Sequence, residues 1–162
     1  GEPCKTPHVT EDQIKAAFVD EMNRVIANKE QVLVDIRMLI STLTDTRELE
    51  EKEASAGTEL EVVSESMHKL VDAYAYALIE QAEYDDRYAK LLAQSRAIEE
   101  RISEIGEQRE QRKTRKRELD AFYKVLKATG PIVEFDEELW NVAVENVTVQ
   151  AKEGIYLRLR NQ

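Results

Sequence analysis

The sequence predicts a mainly α protein: a long antiparallel coiled-coil hairpin arm, with a short C-terminal helix and a small β-hairpin at its base. Three observations predict it. Apolar residues keep heptad spacing from Leu60 to Leu126, the pattern stops at Gly130-Pro131, and apolar residues alternate between Val147 and Leu159. A seam that recurs about every 3.5 residues can be buried only against another helix. The expected division is a base over 1–30, an arm over 31–128 with its tip near 77–81, and a return to the base over 129–162.

The first helix is signalled at its start. Thr10 and Gln13 have capping-box spacing, and Val9 and Ile14 occupy the flanking staple positions. Met22, Val25, Val32, Ile36, Leu39 and Leu43 then keep heptad spacing, with Lys29 as the single polar layer. Extending that phase gives Leu60 the wrong seam position, so the phase slips between Thr46 and Thr58. The stretch Ser55-Ala56-Gly57-Thr58 reads as the break, with Thr58 or a neighbour capping the next helix.

From Leu60 the seam runs through Val63, Met67, Leu70, Tyr74, Tyr84, Tyr88, Leu91, Ile98, Ile102, Ile105, Leu119, Tyr123 and Leu126. One helix of about 70 residues, about 100 Å long, would satisfy the periodicity. A hairpin turning near Leu78-Ile79-Glu80 also satisfies it. It sets Leu60 against Ile98, Met67 against Leu91, Leu70 against Tyr88, Tyr74 against Tyr84, Leu39 against Leu119 and Val32 against Leu126. It also sets the acidic stretch Glu48–Glu53 opposite Arg109, Arg112 and Lys113, which explains cations on an otherwise apolar seam. That favours the hairpin, although the turn holds no Gly, Pro, Asn or Asp.

Gly130-Pro131 ends the helix, because proline cannot continue it and biases the preceding residue away from α. Asp136 is the expected N-cap of a short helix to about Asn146, stapled by Phe135 and Trp140. Val147 and Val149 then pair with Ile155, Leu157 and Leu159 across a turn through Lys152-Glu153-Gly154, leaving Tyr156, Arg158 and Arg160 on the other face. A lone two-stranded hairpin is marginal in water, so this one is expected to complete a sheet or pack on the first helix.

Composition agrees with an elongated helical protein. Of 162 residues, 35% are charged and 6% aromatic, and mean hydropathy is −0.55. No apolar run approaches the roughly 20 residues of a membrane span, and no signal-peptide core is present. A single cysteine excludes an internal disulfide framework and fits a reducing cytoplasm. A net charge of −10 opposes tight nonspecific DNA binding by this polypeptide alone.

Three stretches resemble the C-terminal region of the large serine recombinases, the phage-type integrases and related transposases. Cys4-Lys5-Thr6-Pro7-His8-Val9-Thr10-Glu11 resembles the family's exit from its zinc ribbon. Ala77-Leu78-Ile79-Glu80-Gln81-Ala82-Glu83-Tyr84 is similar to the turn at the tip of its coiled-coil hairpin, though Ala77 and Glu80 stand where Gly and Asp or Ser are usual. Phe135-Asp136-Glu137-Glu138-Leu139-Trp140, followed by Val147-Thr148-Val149, resembles the return into the ribbon. The likeness covers nearly the whole chain in the right order.

The resemblance implies a cut fragment of a DNA recombination and integration enzyme, bacterial or prophage-encoded and cytoplasmic. The fragment itself has no catalysis. The family's serine nucleophile belongs to an N-terminal domain, so Ser41, Ser55, Ser64, Ser66, Ser95 and Ser103 do not inherit the role. Zinc belongs to the parent chain, with Cys4 as an orphaned ligand; two residues, Cys4 and His8, cannot build a structural zinc site. The implied partners are other recombinase subunits reached arm to arm, DNA in the parent and a directionality factor, with no membrane. The alternative is a free-standing coiled-coil scaffold or adaptor whose C-terminal hairpin caps the rod.

The candidate sites follow. Tyr76, Leu78, Ile79, Tyr84 and Tyr88, with Tyr74, crowd the proposed tip, either filling the seam or offering a contact patch. Gly57 and Gly106 fall at similar height on the two arms and form a candidate hinge. Arg158 and Arg160 are candidates for DNA-backbone contact. The basic cluster Arg109, Arg112, Lys113, Arg115, Lys116 and Arg117 reads as DNA contact or as pairing across the arm; interleaved Glu107, Glu110 and Glu118 favour pairing. His68 and the pairs Asp85-Asp86 and Glu99-Glu100 read as solvated faces.

Overall fold

The structure, a computed structural model, describes residues 9–150 and 154–161. Among these, the chain forms α1 (Glu11–Ala27), α2 (Lys29–Thr44), α3 (Arg47–Ala75), α4 (Gln81–Ala128), α5 (Glu137–Ala143), β1 (Val144–Gln150) and β2 (Gly154–Leu159). The fold is mainly helical with a two-stranded antiparallel sheet. It divides into two compact units: Asp45–Arg112, and the described residues on either side of that segment.

In the flanking unit, α1 starts at the expected capping box. The Gln13 amide donates to Thr10 Oγ1 at 3.3 Å, and the Thr10 amide donates to Gln13 Oε1 at 2.9 Å. The run towards Leu43 is interrupted at Asn28, whose Nδ2 donates to the Arg24 carbonyl at 3.1 Å. Such a side chain competes with the helical ladder and ends α1. Lys29, the polar layer, closes a neighbouring helix end. Its Nζ donates to the Thr129 carbonyl at 2.7 Å, just past the end of α4.

The core of this unit gathers Phe18, Met22, Ile36, Phe122, Leu126 and Leu159, with Leu119, Leu139 and Ala143 beside them. Val32, Leu33, Ile40 and Leu43 pack against it. Leu39, expected opposite Leu119, is instead 42% exposed. After Ile36 the buried stripe of α2 steps to Ile40 and Leu43, the spacing of a straight helix on a broad core rather than of a narrow seam.

The segment after Gly130-Pro131 is fastened by Asn23, whose Nδ2 donates to the Ile132 carbonyl at 2.8 Å while its Oδ1 accepts from the Ile132 amide at 3.0 Å. Asp136 caps α5, accepting from the Leu139 amide at 2.9 Å. Phe18 packs edge-on against both Phe135 and Trp140, at 5.6 and 5.2 Å between ring centres. The helix ends at Ala143, short of the expected Asn146, because Val144 already pairs with Leu159. Val147 faces Leu157 and Val149 faces Ile155, as the alternation predicts. β2 packs on α1. Lys152 and Glu153 of the expected turn lie outside the described residues; Gly154 takes φ +95°, a conformation open to glycine.

In the Asp45–Arg112 unit, the expected break at Ser55–Thr58 does not occur. α3 runs unbroken through Gly57, and the interruption falls at Asp45-Thr46. There the Asp45 carboxylate accepts from the Arg47 amide at 3.3 Å and from both sides of its guanidinium, at 2.9 and 2.6 Å. From that point Leu49, Ala56 and Leu70 are buried at heptad positions, as are Ile98 and Ile105 of α4. The slip in phase is taken up by the two residues at the break, so no distortion near Gly57 is needed. Side chains of the two helices meet at Tyr74 with Tyr84, Glu59 with Arg101 (2.6 Å) and Glu53 with Arg109 (2.6 Å).

Candidate functional site

α3 ends in a turn over residues 76–80. The Tyr76 amide donates to the Asp72 carbonyl, the Ala77 amide to Tyr74 and the Leu78 amide to Ala73, at 3.0, 2.9 and 2.9 Å. Bonds from the last two residues back to the final turn make a Schellman cap, which puts the residue after the cap in the left-handed region. That residue is Ala77, with φ +52°, and it is the one described non-glycine residue with positive φ.

The turn sorts the tip aromatics into two groups. Tyr74, Tyr84 and Tyr88 stack in sequence, with ring centres 4.5 and 5.6 Å apart and planes within 26° and 23°. Tyr84 and Tyr88 are half-buried by this stacking, and Ile79 is half-buried as well. Tyr76 and Leu78 take the opposite role, at 77% and 74% exposure. Only the Tyr74–Tyr84 pair joins α3 to α4, and such a stacked pair is worth about 1 kcal/mol beyond burial. Tyr76 and Leu78 are thus the large hydrophobic side chains that the turn leaves in solvent.

The turn and its immediate flanks are acidic in sequence. Between Lys69 and Arg87 the sequence contains Asp72, Glu80, Glu83, Asp85 and Asp86 and no cation. Glu83 pairs with Arg87 and Asp86 with Lys90, each at 2.7 Å. Asp85 and Asp86 are exposed, as expected of a solvated face, and belong to an interval that holds no Lys, Arg or His.

The basic cluster is largely engaged within the chain. Arg109 pairs with Glu53, Arg112 Nη1 donates to the Asp45 carbonyl at 2.8 Å, and Lys116 pairs with Asp120 at 2.9 Å. Arg115 lies 3.3 Å from Glu145, and its Nη2 donates to the Arg160 carbonyl at 2.7 Å. Arg117 donates to Thr114 Oγ1 at 3.2 Å and stays exposed.

Of the two proposed DNA-contact arginines, Arg160 pairs with Glu118 at 3.0 Å and donates to the Val142 carbonyl at 2.9 Å. Arg158 pairs with Glu145 at 3.2 Å, with 58% of its side chain in solvent. Gly57 and Gly106 both lie inside helices, with nothing within 4 Å of an added Cβ. Cys4 and His8 lie outside the described residues.

Among the described residues, no helix is long and apolar enough to cross a membrane, and no group of three or more His, Cys, Asp or Glu is placed to hold a metal ion. Comparison with protein-family models, curated proteins and solved structures returns no match.

Proposed function

We propose that Asp45–Arg112 is the coiled-coil hairpin arm of a serine site-specific DNA recombinase. In this reading the arm makes the contacts between subunits that favour synapsis and set its direction, and this part of the enzyme performs no bond chemistry. The observation that carries the reading is the turn at 76–80. It joins two long helices and leaves Tyr76 and Leu78 in solvent beside a stack of three tyrosines. Tyrosine and large apolar anchors are the side chains that dominate interface energetics. The three stretches similar to the recombinase family supply the class. Zinc would be held by the parent's ribbon, and DNA contact would fall to the parent and to the exposed Arg158 and Arg117.

The test places Tyr76→Ser with Leu78→Ser in the full-length recombinase. DNA-site binding should be unchanged, while synaptic-complex formation should fall at least about tenfold or lose its directionality, as for removal of interface anchors. Normal recombination of every site pair by the double variant would overturn the reading.

A further inference from the structure

The charge pattern at the tip narrows the partner that it can accept. Glu83 and Asp86 are neutralised by Arg87 and Lys90, whereas Asp72, Glu80 and Asp85 are exposed and have no ion-pair partner among the described residues. In sequence they flank Tyr76 and Leu78, the two most exposed large hydrophobic side chains of this unit. Resting on the reading of the tip as a contact surface, we infer that it docks on a protein surface that offers an apolar pocket rimmed by lysine and arginine. A second copy of the same tip does not fit that description.

Two identical tips would each bring three carboxylates without an ion-pair partner among the described residues, and that excess of like charge opposes association at low salt. A cationic rim instead turns the same carboxylates into partners and speeds encounter. The apolar half of the match is held ready beforehand. The Ala77 and Leu78 amides are both tied to α3, so Tyr76 and Leu78 project from a fixed turn and little ordering remains for the moment of binding.

The experiment uses the whole chain and three labelled helical peptides: one amphipathic in leucine and lysine, one in leucine and glutamate, and one of serine and lysine without an apolar face. By fluorescence anisotropy, the leucine–lysine peptide should bind at least about tenfold tighter than either control and weaken at least about tenfold from about 0.05 to about 0.5 M salt. Tyr76→Ser with Leu78→Ser, which leaves every charge in place, should lower that affinity at least about fivefold with unchanged helicity.

Equal binding by the double variant would place the peptide elsewhere on this acidic chain and overturn the inference. Equal binding of the leucine–glutamate peptide would overturn the basic rim while leaving the contact surface intact. Self-association through the tip that strengthens with salt, read by sedimentation, would make the occupant a second copy and overturn it as well. Tip-dependent peptide binding together with normal synapsis by the full-length double variant would remove the recombinase reading and leave the docking chemistry standing.

Discussion

The amide of Leu78 donates to the carbonyl of Ala73 at 2.9 Å, closing α3 with a cap that normally ends in glycine. Here Ala77 takes the glycine's place at φ +52°. A Cβ in that region costs about 1 kcal/mol or somewhat more. The side chain is exposed and has no packing to offset this. Ala77→Gly should therefore stabilise the chain by about 1 kcal/mol in urea unfolding, and Ala77→Val should destabilise it by more than that. No gain from glycine would mean that the turn is not left-handed in solution.

Asn23 binds both backbone groups of Ile132, and the site is partly buried. Asn23→Ala leaves a donor and an acceptor unpaired and should cost about 2 kcal/mol. Asn23→Asp keeps the acceptor and loses the donor, so its cost should fall between wild type and alanine. Urea midpoints at constant slope are the readout; equal stability of all three would show that this clasp contributes nothing.

The sequence disclosed features whose cause is local. The Thr10–Gln13 box, the Asp136 cap and the pairing of Val147 and Val149 with Leu157 and Ile155 each depend on a few neighbouring residues. The Tyr74–Tyr84 pairing was also legible, because heptad spacing converts directly into facing positions. The base was not. Phe18 continues the first seam one step before Met22, but Phe122 is fully buried off the seam of Leu119, Tyr123 and Leu126, since several elements converge there and a helix in a broad core buries more than two positions per heptad. The two helix breaks were hidden for another reason. Asn28 and Asp45 act through side-chain bonds to nearby backbone, and these compete with a helix without disturbing its apolar pattern. Gly57 was the more visible breaker, and helix on both sides carried it through.

Asp45 gives a pH signature. The Arg47 guanidinium, and then the Arg47 amide, hold its carboxyl down to about 2. The unfolded value is about 3.9, so the stabilisation is complete above about pH 4 and is lost as pH falls through about 2. Asp45→Asn should lack this dependence, so the stability difference between it and wild type should shrink across that window. A carboxyl resonance of Asp45 that titrates near its ordinary value would refute the clamp.

Gly57 and Gly106 supply the last prediction. Each lies in a helix interior, and an added Cβ meets nothing within 4 Å. Alanine should therefore fit at both and stabilise each helix by about 1 kcal/mol. Stability alone would not identify a hinge, because any exposed helical glycine gives the same gain. Local opening would: a helix weakened at one residue exchanges its neighbouring amides through bending or fraying at that level. If the two glycines form a hinge, hydrogen exchange in wild type should be fastest around both compared with the helix on either side. Gly57→Ala with Gly106→Ala should then slow exchange there by more than the gain in global stability accounts for. Slowing uniform along α3 and α4 would mark the glycines as tolerated defects in two stiff helices.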